Sequence, residues 1–142
     1  MIRITEATAV DEELERAFER LVPQLSRSNA APDREALAAI LASPAQLLLA
    51  RDEKGEIVGT LTLVVFRIPT GLRCRIEDVI VEESARGQGI GEALTRAAIG
   101  RARKLGAPTV DLTSNPRREA ANRLYRRIGF QSRETNIYRL DL

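Results

Sequence analysis

The segment between Val79 and Gly91 constrains the fold of this chain more than any other stretch. An apolar run that ends at Val81 leads into a turn with glycine at positions 87, 89 and 91, and an amphipathic run follows. A strand, a glycine-rich turn and a helix are therefore predicted in direct succession. The N–H groups of such a turn converge with the unpaired N–H groups and the positive dipole end of the helix. This arrangement predicts a phosphate or pyrophosphate site, with Arg86 at its rim.

Two other glycine-rich phosphate loops fit this segment less well. A dinucleotide-binding loop needs its third glycine where Glu92 stands. Asp111 lies at a suitable distance for a ribose contact, but the antiparallel strands predicted before the loop do not suit that fold. A Walker loop is excluded because no Gly-Lys-Ser/Thr follows. The remaining alternative is a tight turn that needs glycine only for its shape.

Hydrophobic periodicity predicts one mixed α/β domain over residues 1–142, with a mostly antiparallel central sheet and flanking helices. The predicted strands are Arg3–Glu6, Gln46–Arg51, Ile57–Ile68, Leu72–Val81, Thr109–Thr113 and Asn136–Leu140. The predicted helices begin near Thr8, at Pro32-Asp33, near Gly89 and at Asn115-Pro116, and they end at Pro23, Pro44, Leu105 and Gly129. Short turns imply an antiparallel meander first, and a βαβ crossover then leads from Val81 to the Thr109 strand.

The chain contains no histidine and a single cysteine, Cys74. This composition excludes Ser-His-Asp and Cys-His nucleophilic machinery, and it removes nearly every usual zinc site, so no metal is expected. A general base must then be a carboxylate, a tyrosine, a lysine or water. Cys74 has no histidine to activate it and is better explained as a small core residue.

Positive charge is concentrated in the last third of the chain. After residue 95 there are 11 Lys and Arg against 4 Asp and Glu, which favours an anionic ligand. Five arginines lie on the last predicted helix (Arg117, Arg118, Arg123, Arg126 and Arg127). They could contact nucleic-acid phosphates, but no stacking motif accompanies them, so no nucleic acid is expected. Without a signal peptide or an apolar run of membrane-spanning length, a cytoplasmic protein with no membrane partner is expected.

Two motifs together resemble the GNAT superfamily of N-acetyltransferases. Arg86–Gly91, following Ile76–Val81, resembles the acetyl-CoA motif of that family, and Asn115–Phe130 resembles its second motif, with Leu-Tyr and Gly-Phe near its end. The resemblance covers residues 72–142 through motifs and the first half through element order only. It implies a GNAT acyl-CoA N-acyltransferase fold and an enzyme that uses acetyl-CoA as co-substrate.

The resemblance also implies a set of residues that hold acetyl-CoA where one strand splays from its neighbour. These are Val79, Ile80, Val81, Arg86, Gly87, Gln88, Gly89, Ile90, Gly91, Asn115, Arg118 and Asn122. Many family members carry Asn where Arg118 stands here. In this respect the sequence looks closer to a subgroup that contains aminoalkylphosphonate and other small-amine acetyltransferases.

The implied reaction is direct attack by a neutral amine on the thioester, with both substrates bound. We expect Tyr125 to protonate the sulfur and the Val79 N–H to stabilise the oxyanion. The base falls to Glu77 or Asp78, directly or through a water. Adjacent strand residues face opposite sides, so Glu77 is expected to share a face with Val79 and Val81 and is the preferred base.

Several alternatives stay open at this stage. The chain could be a non-catalytic acetyl-CoA sensor, or it could acetylate a protein amine rather than a small molecule. The acceptor would be set by residues 23–32 and by the turn at Pro69 to Leu72, and Arg27 is a candidate partner for an acidic acceptor group. Homodimers are common in the resembled family, so a homodimer is compatible with the sequence.

Overall fold

The computed structural model describes all 142 residues, which form one five-stranded sheet with helices on both faces. The strands are β1 (Arg3–Glu6), β2 (Gln46–Arg51), β3 (Ile57–Ile68), β4 (Gly71–Val81) and β5 (Val110–Asp111). The helices are α1 (Glu12–Leu25), α2 (Arg34–Ala42), α3 (Ile90–Leu105) and α4 (Glu119–Ile128), and a 3-10 turn at Glu83–Ala85 joins β4 to α3. None of these helices combines the length and the apolar composition of a membrane span.

The strands follow one another in sequence order across the sheet, from β1 to β5. The first four pair antiparallel, whereas β4 and β5 pair parallel across the α3 crossover. The predicted mixed α/β fold, the antiparallel meander and the βαβ unit are therefore confirmed.

Two hydrophobic clusters hold the layers together, one on each face of the sheet. The α3 cluster contains Leu94 and Ala98 packed on Cys74 and Ile76 of β4. The α1/α2 cluster contains residues of α1, Leu37 of α2 and inward residues of β2, β3 and β4. Leu47–Ala50 of β2 is buried on both faces, which explains its unbroken apolar sequence.

Gly59 on β3 lets the start of α3 approach the sheet. A Cβ at this position would lie 3.0 Å from Ile90 Cγ2, 3.1 Å from the Ile80 carbonyl oxygen and 3.2 Å from Leu94 Cδ1. The backbone oxygen cannot move without disturbing the β3–β4 ladder. A side chain at residue 59 would therefore crowd the start of α3, which favours glycine at this position.

We expect Gly59→Ala to lower the free energy of unfolding by about 1–3 kcal/mol, the usual cost of overpacking a core. Urea denaturation measures this change. Gly100→Ala is the matched control, because a Cβ at Gly100 in α3 meets nothing within 4 Å. This control should gain roughly 0.5–1 kcal/mol, since alanine is the better helix former. Equal effects of the two substitutions would contradict the close approach at Gly59.

Two predicted boundaries of α1 are wrong. The helix begins at Glu12 rather than near Thr8, because the Asp11 side chain caps it and accepts a hydrogen bond from the Leu14 N–H at 2.8 Å. It also continues through Pro23 to Leu25. A proline removes one N–H group without preventing the next residues from bonding, and the Ser26 N–H still donates to the Val22 carbonyl.

Three predictions in the C-terminal half are also wrong. The last helix begins at Glu119, because the Asn115 side chain closes a separate turn by accepting from the Arg117 N–H at 2.8 Å. The strand predicted at Thr109–Thr113 is paired only over Val110–Asp111, where β4 and β5 still run side by side. Asn136–Leu140 forms no strand, because no neighbouring strand lies beside it.

Candidate active site

A cradle of unpaired backbone N–H groups lies between β4 and α3. Gly87 and Gly89 adopt left-handed conformations, with φ of 83° and 77°, which glycine accepts without strain. Gly89 is the N-cap of α3 and supplies no side-chain cap. No backbone N–H from Gly87 to Glu92 donates to an acceptor of the protein. These donors and the helix dipole make the cradle suited to a phosphate or pyrophosphate.

The outer edge of β4 is open on the approach to this cradle. Pairing with β5 is confined to Cys74 and Arg75, so the rest of β4 diverges from β5. The Glu82 N–H donates to the Val58 carbonyl at 2.8 Å. Because bonded and non-bonded pairs alternate in an antiparallel ladder, the peptide groups of Val81 point away from β3 into the gap. There the Val81 carbonyl accepts a hydrogen bond from Arg86 Nε at 3.3 Å.

A cavity of about 130 Å³ opens where β4 and β5 diverge. It brings together residues that are far apart in the sequence and that belong to β4, the segment after β5, α4 and the end of α1. The lining residues are Leu25, Ile76, Glu77, Asp78, Val79, Leu112, Thr113, Arg118 and Tyr125. The cavity therefore brings together three residues that the sequence predicted for the reaction, Tyr125, Glu77 and Val79. Arg118 lines the same cavity.

A β-bulge shapes the β4 wall of this cavity. Thr62 pairs with Glu77 and Thr60 with Ile80, so that Asp78 and Val79 together face the single residue between them on β3. Asp78 is the only non-glycine residue with positive φ, at 48°. Such a bulge inserts one extra residue and turns the following side chains to the opposite faces.

Because of the bulge, the Glu77 side chain does not have the orientation that the sequence predicted. Ile76 belongs to the α3 cluster, whereas Ile80, four residues later, belongs to the α1/α2 cluster. Val79 and Val81 pack against the α3 cluster, the side from which Glu77 points away. The expectation that Glu77 shares a face with Val79 and Val81 is therefore wrong, and both carboxylates border the cavity instead.

The two carboxylates differ in their surroundings. Glu77 Oε1 forms an ion pair with Arg75 Nη2 at 3.2 Å. Asp78 has no ion-pair or hydrogen-bond partner, and desolvation followed by repulsion from Glu77 raises the pKa of its carboxyl. Asp78 is thus the carboxylate whose pKa moves toward the neutral range in which a general base works best.

Tyr125 occupies the opposite wall from α4. Its side chain is buried, and its ring contacts Phe130 edge-to-face with centroids 5.8 Å apart. The hydroxyl makes no hydrogen bond to the protein, which leaves it available inside the cavity. Burial raises the pKa of Tyr125, while the positive charge of Arg118 opposes this rise. The hydroxyl therefore stays protonated at neutral pH and can act as a proton donor.

The polar residues before α4 divide into two kinds. The Asn122 side-chain amide donates to the carbonyls of Asn115 and Arg118, at 2.9 and 2.8 Å, and so fixes the turn that precedes the helix. The Arg118 guanidinium makes no ion pair or hydrogen bond and borders the cavity. Asn115 and Asn122 are therefore structural in part, whereas Arg118 presents an unpaired positive charge.

Sequence reasoning missed four of the lining residues, which are Leu25, Ile76, Leu112 and Thr113. Leu25 enters the cavity only because α1 continues past Pro23, and Leu112 and Thr113 enter it because β5 ends early. Arg27 is exposed and does not line the cavity. Cys74 is buried, and burial raises the pKa of its thiol, so it does not suit a nucleophile.

A family model and several known proteins match the sequence of this chain. The sequence model described as the acetyltransferase (GNAT) family matches residues 8–130. A mycothiol acetyltransferase of Propionibacterium freudenreichii subsp. shermanii is 31% identical over 115 residues, which are 81% of this chain and 37% of that protein. An L-methionine sulfoximine/L-methionine sulfone acetyltransferase of Pseudomonas aeruginosa is 34% identical over 86 residues, which are 60% of this chain and 50% of that protein. The chain thus spans half the length of these relatives or less.

A solved structure matches the whole fold. The crystal structure of a Trypanosoma brucei acetyltransferase superposes with a TM-score of 0.79 and 26% identity, and the match covers 100% of both chains.

Proposed function

Because this chain belongs to the GNAT acetyltransferase family, we propose that it transfers the acetyl group of acetyl-CoA directly to a primary amine of a small molecule. The observation that carries this proposal is the divergence of β4 from β5. It places the unpaired N–H cradle at one end of a gap and the cavity with Tyr125, Glu77 and Asp78 at the other. A nucleotide thioester bound along such a gap would have its acetyl group beside ionisable side chains.

The cradle fits the diphosphate of acetyl-CoA. Backbone donors from Gly87 to Gly91 would hold the pyrophosphate, with Arg86 adding charge at the rim. The strand residues Val79, Ile80 and Val81 would bind the pantetheine arm, with the outward-facing peptide groups of Val81 in the gap. Asn115, Arg118 and Asn122 would border the arm on the α4 side. Acetyl-CoA supplies the activated acetyl group, and the protein residues position it and move protons.

We assign the proton removal to the carboxylate pair. Glu77, which forms an ion pair with Arg75, attracts the ammonium form of the acceptor. Asp78 takes the proton, because desolvation and the charge of Glu77 raise its pKa. The Val79 N–H then donates to the oxygen that gains negative charge. Tyr125 donates its proton to the sulfur as the C–S bond breaks, and the second proton that the nitrogen loses on becoming an amide returns to the Tyr125 oxygen.

The acceptor class follows from the cavity and from the relatives. A space of about 130 Å³ holds the reacting atoms and little more, which suits a slender amine. The curated relatives are named for mycothiol and for L-methionine sulfoximine, both small molecules. A small-molecule primary amine is therefore the acceptor class that we propose, and we propose a cytoplasmic, metal-free enzyme that needs neither nucleic acid nor membrane.

A panel of primary amines tests this function. Acetyl-CoA is mixed with the protein and with aminoalkylphosphonates, polyamines, amino acids, amino sugars or lysine peptides, and free thiol is followed. Thiol release that depends on one class of small amine supports the proposal. Acetyl-CoA binding without release from any amine would favour the sensor, and release with lysine peptides alone would favour a protein acceptor.

A charge placed in the cradle tests the cofactor site. We expect Gly89→Asp to raise the Kd of acetyl-CoA at least about fivefold, because like charges about 4 Å apart repel by roughly 1–4 kcal/mol. Gly89→Asn is the matched control, since Asn has nearly the same shape, and both residues tolerate a left-handed backbone. Calorimetric titration measures both variants. Equal loss of affinity in the two would mean that backbone shape, and not phosphate binding, explains the glycine.

A further inference from the structure

Arg118 is the only positively charged residue that lines the cavity. The other charged groups in the lining are Glu77 and Asp78 of β4, and Arg75 pairs with Glu77 from outside the lining. Tyr125 is the remaining titratable group, because the lining residues from α1 and from the segment after β5 carry none. The cavity therefore contains two carboxyl groups and one guanidinium.

The backbone of Arg118 is fixed, whereas its side chain is free. The Arg118 N–H donates to the Asn115 carbonyl at 3.0 Å. The Arg118 carbonyl accepts from the Asn122 N–H at 2.9 Å and from the Asn122 side-chain amide at 2.8 Å. The guanidinium makes no hydrogen bond or ion pair. A positive charge held at a fixed place without a partner can stabilise a group that becomes negative during a reaction.

Arg118 and Tyr125 lie on the same face of α4. Arg118 is the N-cap residue of the helix, and Tyr125 follows seven positions later, which is about two helical turns. Both side chains reach the same cavity. The positive charge of Arg118 also opposes the rise that burial causes in the pKa of Tyr125. The guanidinium thus influences the group that we assign as the acid.

The proposed reaction adds negative charge to this cavity. When the C–S bond breaks, its electron pair stays on the sulfur. The sulfur then takes the proton of Tyr125, whose oxygen is negative until the nitrogen returns a proton to it. The negative charge of Glu77 on the opposite wall disfavours both of these states, because like charges repel. A cation on the α4 side offsets that repulsion.

We propose that Arg118 stabilises the departing thiolate through its charge, and that it thereby lets Tyr125 complete the proton transfer. Arg118 gives up no proton and forms no covalent bond in this step. The role is additional to any contact of Arg118 with the pantetheine arm. It rests on the proposed function, since the sulfur of CoA must lie in the cavity.

Binding of CoA and of acetyl-CoA tests this role without turnover. CoA has an ionisable thiol and acetyl-CoA has none, so the ratio of their Kd values isolates the sulfur. Calorimetric titrations from about pH 7 to about pH 10 span the usual pKa of a thiol. A cation beside the sulfur lowers the pKa of the bound thiol, so the affinity for CoA gains relative to that for acetyl-CoA as the pH rises.

Arg118→Gln removes the charge, and Arg118→Lys is the matched variant that keeps it. We expect the gain in relative affinity to be about tenfold larger in the wild type than in Arg118→Gln. This corresponds to about one pKa unit, the lower end of the usual effect of a nearby charge, because the guanidinium is exposed. Arg118→Lys should retain most of the gain. Glu77 and Asp78 act in the opposite direction in all three proteins, so the differences between them report on residue 118.

The same pH dependence of the Kd ratio in wild type and Arg118→Gln would overturn this role. A residue that only binds pantetheine, or only shapes the start of α4, changes both Kd values alike and leaves their ratio flat. Amine-dependent thiol release by the wild type would then leave the proposed function standing. Failure of the wild type to bind either ligand would contradict the proposed function, and the role of Arg118 with it.

Discussion

Tyr125→Phe is expected to lower kcat by about 10²–10⁴-fold, the usual contribution of a positioned general acid. The substitution removes only the hydroxyl, and that group makes no hydrogen bond to the protein. The ring keeps its edge-to-face contact with Phe130, so the free energy of unfolding should hardly change. Steady-state kinetics and urea denaturation of the same preparation measure the two effects.

Two comparisons sharpen the Tyr125 prediction. The Kd of acetyl-CoA should stay within a few-fold of the wild type, since the cradle lies at the other end of the gap. Tyr138→Phe is the matched control, because Tyr138 is the only other tyrosine and is exposed near the C-terminus, outside the cavity. A Tyr125→Phe enzyme with full kcat would remove the tyrosine from the chemistry.

Asp78→Asn is expected to lower kcat/KM by about 10²–10⁴-fold. It should also abolish the acid limb of the pH profile, which is the fall of kcat/KM at low pH. Asp78 must be deprotonated to accept a proton, so activity falls as the pH drops through its pKa. Desolvation and Glu77 raise that pKa above the usual value near 3.9, so the limb of the wild type lies at higher pH than for an ordinary aspartate. Asn tolerates the positive φ of this position, so the bulge should persist.

Glu77→Gln separates the two carboxylates. Removing the negative charge of Glu77 removes one cause of the raised pKa, so the acid limb should move to lower pH while remaining present. KM for the amine should rise, because the ammonium loses a charged partner. An acid limb that vanishes in Glu77→Gln and persists in Asp78→Asn would reverse the two roles.

Local patterns predicted much of the fold. The bounds of β2 and β3 agree with the structure, because alternation and flanking turns mark both ends. The glycine turn and the αL glycine after α3 were also predictable, since Gly106 has φ of 85° and ends the helix as expected. These features depend on neighbours within a few residues, which a sequence shows directly.

Features that depend on distant contacts were not predictable. The alternation of β4 breaks at Glu77-Asp78, but the sequence does not show that the break is a bulge. Asp is one of the few residues that tolerates the backbone of this position. Asn115-Pro116 has the composition of a helix start, but the Asn122 amide holds that segment in a separate turn. Asn136–Leu140 alternates like a strand, yet a strand also needs an edge to pair with. Leu25 meets Tyr125 only through the packing of α1 against the sheet.

The most direct test of direct acetyl transfer is a product measurement by mass spectrometry. The protein is incubated with acetyl-CoA, first alone and then with the amine that releases most thiol. We predict an unmodified protein mass in both cases, and N-acetylated amine equal in amount to the free CoA once the amine is present. No acetylated amine from any member of the panel, or an acetyl group carried by the protein before the amine is added, would contradict the account.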